Sequence, residues 1–214
     1  MHLDRVTVVY FVALVIAVIL HEISHGVVAL WFGDDTAKRA GRLTLNPVPH
    51  IDPFGSIILP ALGALAGIPV IGWAKPVPVN PSRLRNRRRD MLLVSLAGPG
   101  TNFVLAFGAA VFARSQFQGT GRSVIFLDQL PSAVLFPLVF AIVNLFLGVF
   151  NFLPIPPLDG AAIVERVLPP GWLPRWYQFR QYGILVLFLL VFLTSFPSKV
   201  FDPFLLRLER FVLR

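Results

Sequence analysis

The chain has 214 residues, of which 56% are hydrophobic and only 14% charged; it has no cysteine, and 19 Lys and Arg stand against 11 Asp and Glu for a formal charge of +8. Its mean hydropathy is +0.73, and an average soluble domain is nearer about one-quarter charged, so a disordered chain, a disulfide scaffold and a Cys-ligated zinc site are excluded, and the composition argues against an ordinary soluble domain. The basic residues fall between apolar blocks and do not line one face, a placement that suits membrane topology and not a nucleic acid partner. Residues 6–32 form the first long apolar run, beyond the about 20 helical residues that cross a bilayer core. Its amino end is not clearly basic and no small-x-small site follows, so it reads as a retained span and not a signal peptide. Residues 38–50 do not look helical, because 42–46 alternate and then meet Pro47 and Pro49. Residues 54–73 are apolar and nearly long enough to cross, but Pro60, Pro69, Gly55, Gly63, Gly67 and Gly72 point to a broken or re-entrant segment. Residues 73–80, with Pro76 and Pro78 around Val77 and Val79, read like 42–46 as a short extended edge. Residues 91–113 and 133–153 are the second and third full spans. Residues 176–196 are the fourth, opened by the interfacial aromatics Trp176, Tyr177 and Tyr182. Residues 201–214 read as an amphipathic helix on the interface, with Arg207, Arg210 and Arg214 beside Leu and Phe.

Charge orients these spans. Lys38, Arg39 and Arg42 follow the first span, and Arg83, Arg85, Arg87, Arg88 and Arg89 precede the second. Both groups are cytosolic under the positive-inside rule only if residues 54–73 enter and leave on one side. The expectation is an all-α polytopic membrane protein of about four full transmembrane helices plus a re-entrant or broken apolar segment, with short extended edges in its loops. It forms a single integral-membrane domain over residues 1–214, its core at 6–165 and its C-terminal helix and interfacial tail at 176–214.

His21-Glu22-Ile23-Ser24-His25 is the centre of the chemistry. On a helix, residues i and i+4 share a face, so His21 and His25 can bind one metal, and Glu22 beside them can take a proton from water. Two imidazoles and a carboxylate inside a membrane span are costly and mark a function. A catalytic zinc site has three protein ligands and an open position. For the third, His2 is terminal, His50 sits in a Pro-rich loop, and Asp159 follows the third span in a stretch broken by Pro154, Pro156 and Pro157. Taken alone, Asp159 reads as a helix cap; prolines at membrane depth, however, leave backbone polar groups free, which is tolerated only beside a cavity or inside protein. Asn102 and Asn144 within spans suit interhelical hydrogen bonds, Ser24 a bond to its own backbone, and Gly98 with Pro99 a close helix approach near the metal. The arginine run at 83–89 suits topology and lipid headgroups, and Glu165 and Arg166 suit a solvated helix face.

The pairing of His21-Glu22-x-x-His25 with Asn151-x-x-Pro154-x-Pro156-x-Leu158-Asp159-Gly160 resembles the site-2 protease family of intramembrane zinc metalloproteases. Residues 95–102, Ser-Leu-Ala-Gly-Pro-Gly-Thr-Asn, look like the small-residue motif of that family's intervening core span, and residues 41–47, 50–55 and 72–80 resemble its subgroup without a PDZ domain. The resemblance covers nearly all of residues 1–165. It implies His21, His25 and Asp159 as ligands of one zinc ion per chain, Glu22 as general base, and Asn151 as a group that steadies substrate or oxyanion. The implied substrate is a single-span transmembrane protein cut within or near its span. The substrate must unwind, and the edges near Leu43 and Val77 are candidate holds for the unwound strand, with Asn102 a further candidate substrate contact. The reading expects neither a PDZ insert nor a nucleotide-sensing domain, which departs from larger members. A compact form without an organelle signal predicts a prokaryotic cell membrane, multi-pass in the lipid bilayer, with the site toward the cytosol. Two other functions compete: a metal-ion transporter using the same ligands as a transit site, and an inactive relative that binds transmembrane helices without cutting. One Glu beside a single His pair favours water activation over ion hopping, and no inverted repeat is visible.

Overall fold

The computed structural model describes residues 4–58, 62, 74–117 and 127–213. Helix α1 (Arg5–Trp31) starts where the Asp4 carboxylate accepts the Thr7 N–H at 2.8 Å, an N-cap that satisfies a donor the helix itself leaves free. A four-residue turn, α2 (Thr36–Arg39), follows. Helix α3 (Arg87–Gln116) starts with a reciprocal cap: the Asn86 side chain accepts the Arg89 N–H at 3.1 Å, and Asp90 accepts the Asn86 N–H at 2.7 Å. Helix α4 (Ser132–Asn151) completes the central trio. These three are long and apolar enough to cross a membrane.

The trio packs through small residues. On α1 the buried positions Ala13, Ala17, His21, His25 and Ala29 recur every fourth residue and make one inward stripe. On α3 the matching stripe is Asp90, Val94, Gly98, Asn102, Ala106 and Ala110. Alanine and glycine let the backbones approach closely, which drives helix association where lipid is as apolar as the side chains. One half of the bundle has an apolar core: Ala13 and Ala17 of α1, Ala110 and Ala113 of α3, and Val134, Leu135, Leu138 and Val139 of α4 form a continuous cluster. The polar residues of the stripes lie in the other half. Facing outward are Phe11, Leu14, Val104, Phe107 and Phe112, an exposed apolar belt that suits lipid.

Beyond α4 the chain turns through Asp159 into α5 (Ala161–Val167), α6 (Leu173–Arg180), α7 (Gly183–Leu193) and α8 (Phe196–Leu213). The fourth span expected over 176–196 as one helix is instead broken. The segment 170–180 meets α7 at a bend of 63°, and α7 with 11 residues is too short to cross about 30 Å of hydrocarbon alone. At the break Gly183 lies so close to Pro156 that a Cβ would run into the Pro156 carbonyl oxygen, so the chain bends around the proline segment. Trp176 and Tyr177 therefore sit on α6, ahead of the apolar helix.

The C-terminal helix also differs from its reading. Phe201, Leu205, Leu208 and Val212 form its inner stripe. Phe201 stacks on Phe146 at 4.4 Å between ring centroids, while Val212 joins the apolar core. Arg114 of α3 bonds the Phe211 carbonyl and lies 4.8 Å over its ring. The helix thus runs lengthwise along the bundle, antiparallel to α4, and not flat beside it. The expected re-entrant segment 54–73 lies outside the described residues, apart from the turn Pro53–Ile58 and Leu62. Among the described residues no strand forms. The loops at 42–50 and 74–80 are nonetheless tied together, by Lys75 N–H to His50 O at 2.9 Å and Arg42 to Lys75 O at 2.6 Å.

Candidate metal centre

One turn apart on the α1 stripe, His21 and His25 point into the bundle, 6% and 8% exposed. Their Nε2 atoms are 3.1 Å apart. Asp159 Oδ2 lies 3.1 Å from His21 Nε2 and 3.4 Å from His25 Nε2. The three atoms outline a nearly equilateral triangle, and all three residues can serve one ion. A tetrahedral zinc with bonds of about 2.0–2.1 Å has ligand-to-ligand edges of about 3.3 Å, the size found here. The far side of each ring explains the orientation. His25 Nδ1–H donates to the Val94 carbonyl at 2.7 Å, and a carbonyl only accepts, so the neutral ring presents a lone pair at Nε2. His21 Nδ1 lies 2.5 Å from Asn102 Oδ1, with the same consequence. Asp159 Oδ2 is buried without a hydrogen-bond donor. With both rings neutral, three lone pairs converge, an arrangement a cation fits.

Helix α3 provides the floor. A Cβ on Gly98 would lie 2.5 Å from His25 Nε2 and 2.6 Å from His21 Nε2, so only glycine permits the approach. Pro99 follows it, buried inside the helix, with no N–H for the Ser95 carbonyl. Asp159 is aimed by the chain around it. The Gly160 N–H bonds the Asn151 carbonyl at 2.7 Å, folding the Pro-rich stretch back over the end of α4. A Cβ at Gly160 would collide with the carbonyls of Phe152 and Leu153. Arg88 secures the next element: its guanidinium donates to the carbonyls of Glu165 and Arg166 at 3.2 and 3.1 Å and also to that of Leu168, capping the end of α5.

The remaining expected residues fall into two groups. Glu22 Oε2 accepts the Val77 N–H at 2.7 Å, and the side chains of Leu43 and Val77 both crowd Gly26, the residue after His25. Glu22, Leu43 and Val77 are therefore neighbours of the His pair. Asn151, by contrast, gives its amide to the Leu147 carbonyl of its own helix at 3.0 Å. Asn102, expected as a substrate contact, is fully buried behind His21 and hydrogen-bonded to Asn144 at 2.8 Å. Ser24 bonds the His21 carbonyl at 2.6 Å. His50 and Asp52 each bond within their own loop, to Thr44 O and from Gly55 N–H, and do not join the metal ligands. Two surface readings change. Arg83 pairs with Asp35 at 2.6 Å, and Arg88 caps α5, so part of the arginine run is structural. Glu165 is not free in solvent but joins α5 to α6 through Trp176 at 3.2 Å and Arg180 at 2.9 Å. Sequence reasoning did not single out Arg88 or the bond from His21 to Asn102; the one signal for the latter is that Asn102 falls four residues after Gly98.

Apolar spanning helices around a buried cluster of two imidazoles and one carboxylate define a membrane-embedded metalloprotein. Its relatives narrow the class. The chain is 41% identical over 198 residues to "Putative zinc metalloprotease YwhC" of Bacillus subtilis, a match covering 91% of this chain and 84% of that protein. Two proteins named "Putative zinc metalloprotease Rip2" also match. That of Mycolicibacterium smegmatis is 32% identical over 184 residues, covering 86% of this chain and 66% of the relative. That of Mycobacterium tuberculosis H37Rv is 36% identical over 179 residues, covering 81% and 64%. The model of peptidase family M50 matches residues 128–194, a stretch that contains Asp159 and excludes the His pair. No solved structure matches the chain. The chain belongs to peptidase family M50, the site-2 proteases, and is a zinc metalloprotease of that kind, with the apolar helices of a multi-pass membrane protein.

Proposed function

We propose that this protease hydrolyses a peptide bond within or near the transmembrane segment of single-span membrane proteins, at one zinc per chain held by His21, His25 and Asp159. The observation that carries the reading is the triangle of ligand atoms, whose edges of 3.1, 3.1 and 3.4 Å suit a tetrahedral ion. Zinc, when bound, supplies Lewis acidity, which makes water a nucleophile near neutral pH and polarises a carbonyl. Glu22 acts as general base, accepting the proton of the attacking water and returning it to the leaving amine nitrogen. One of its oxygens is engaged by the Val77 N–H, which fixes the carboxylate and leaves the other oxygen for the proton. Asn151 keeps a second amide N–H beyond the one given to Leu147, a donor suited to the developing oxyanion. The loops carrying Leu43 and Val77, packed on Gly26 beside the ligands, are where an unwound substrate strand would lie.

The site faces the cytosol of a prokaryotic cell membrane in this reading, and the whole chain works as one membrane domain. Support comes from the end of the bundle that carries it. Lys38, Arg39, Arg83 and Arg85 belong to the turns beyond Trp31 and before Arg87, at the end where His25 lies, and positive charge marks the cytosolic side. The test is to purify wild type and Glu22→Gln in detergent, quantify zinc, and offer each a panel of single-span peptides. Both proteins are expected to hold about one zinc, while the variant loses on the order of 10²–10⁴ in rate. Zinc in neither protein, or cleavage surviving in Glu22→Gln, overturns the reading.

A further inference from the structure

The mechanism above leaves two fully buried amides unused, and their hydrogen bonds have a direction. Asn144 Nδ2 donates to the Phe140 carbonyl at 2.8 Å. A carbonyl cannot donate, so this bond fixes which way the Asn144 amide faces. Its Oδ1 is thereby turned to α3, where it accepts Asn102 Nδ2–H at 2.8 Å. That contact turns Asn102 in the same sense, with its Oδ1 toward His21 Nδ1 at 2.5 Å. An oxygen there requires a proton on Nδ1, which leaves the lone pair of His21 on Nε2, facing His25 and Asp159. Reversing any one amide sets two oxygens or two N–H groups against each other. Asn102 and Asn144 are both 0% exposed, so water cannot repair the mismatch.

We infer that Asn102 and Asn144 are positioning residues that hold His21 in its metal-binding tautomer, with the backbone carbonyl of Phe140 as the fixed end of a relay across α4, α3 and α1. This inference rests on the reading of His21 as a zinc ligand. A ring free to change tautomer presents Nε2–H to the ion for part of the time, and partners of this kind behind a metal-bound histidine typically set affinity by 10–100-fold. Interhelical contact alone would not need this order of donors and acceptors; two apolar side chains of the same size would serve.

The test uses an isosteric pair on the full chain in detergent. Asn144→Val removes the relay. Asn144→Thr keeps the direction, because a helical threonine hydroxyl donates to the carbonyl four residues earlier, here Phe140, and so turns only lone pairs toward α3. Zinc dissociation constants are read by chelator competition, and the visible spectrum of the cobalt(II) form reports ligand geometry. Asn144→Val is expected to weaken zinc by about 10–100-fold and alter the cobalt spectrum, with Asn144→Thr within about threefold of wild type. Val139→Ala, a buried apolar change in the same helix, is the packing control and is expected to leave the zinc constant unchanged. Wild-type zinc binding in Asn144→Val, or equal weakening by Thr and Val, overturns the inference. If Asn144→Val does not fold, Asn102→Ala carries the same expectation, and wild-type affinity there overturns it equally. A wild-type protein that binds no zinc refutes the metal reading itself, a result distinct from these.

Discussion

Substituting Gly98 by alanine tests whether the gap between α1 and α3 is set for a metal. The added Cβ would lie 2.5 Å from His25 Nε2 and from His21 Cε1, against an ordinary contact that begins at 3.4 Å. Relief requires about 0.9 Å of movement, either between the helices or by rotation of the rings; functional metal sites tolerate only about 0.2 Å in their bond lengths. Rotation is resisted by the bonds at the back of each ring, to Val94 and Asn102. Overpacking of this kind costs about 1–3 kcal/mol. If that cost falls on the bound state, zinc affinity drops by about five- to more than a hundredfold. The assay is chelator competition on the detergent-purified protein, with Gly100→Ala and Gly108→Ala as controls, since an added Cβ at either meets nothing within 4 Å. Gly98→Ala binding zinc as tightly as the controls would refute the reasoning.

Other perturbations separate the parts. Val77→Pro deletes the N–H that holds Glu22; a hydrogen bond to a charged group contributes about 1.5–3 kcal/mol, so cleavage is expected to fall about tenfold or more with zinc content unchanged, and an unchanged rate would show that the bond does not position the base. Arg88→Gln removes a charged cap from three carbonyls at the end of α5 and should lower thermal stability by about 1 kcal/mol, a value discounted for exposure, with a smaller effect on zinc binding, as scanning calorimetry and chelator titration would show. Asp34 joins the turn after α1 to Asn80. Burial pushes its carboxyl up, but hydrogen bonds from Thr36 and Asn80 and the charge of Arg83 outweigh this and hold it below the ordinary aspartate range. A carboxyl lowered by folding stabilises the fold above its unfolded pKa of about 3.9, and the contribution is lost as pH falls through the native value. Melting temperature followed from about pH 6 to pH 3 should therefore show a steeper acid fall in wild type than in Asp34→Asn, and parallel curves would contradict this.

The apolar runs at 6–32, 91–113 and 133–153 were legible because bilayer thickness imposes a length that composition reveals directly; α1, α3 and α4 lie on them. The His pair was equally legible, since the helical period alone brings residues four apart onto one face. Asp159 is different. Its position against the imidazoles depends on Gly160 folding back over α4, a long-range fact, and only the resemblance distinguished it from a helix cap. The fourth apolar segment was legible but its bend was not, because an apolar run does not register the contact of Gly183 with Pro156 at the break. The stripe of Phe201, Leu205, Leu208 and Val212 was visible as amphipathic, but the same stripe fits an interface or a helical bundle, and the aromatic rings of Phe146 and Phe150 favour the bundle. The relay from Phe140 to His21 had no periodic signature: it joins residues 42 and 81 apart in sequence through hydrogen bonds whose direction appears only in three dimensions.

The division of the bundle into a polar half and an apolar half bears on the membrane as well as on the enzyme. The proposed hydrolysis inside a bilayer would admit water part of the way across an energised barrier, and a continuous file of water would let protons through, each worth about 2.3 kcal/mol per 100 mV. The alanines at 13, 17, 110 and 113, closed by Leu135, Leu138 and Val139 at 1% exposure or less apart from Ala110 at 3%, carry among themselves no polar side chain for such a file to follow. The packing that sets the spacing of the helices thus also serves as electrical insulation, and opening a cavity there by a large-to-small substitution would weaken that seal without touching the metal ligands.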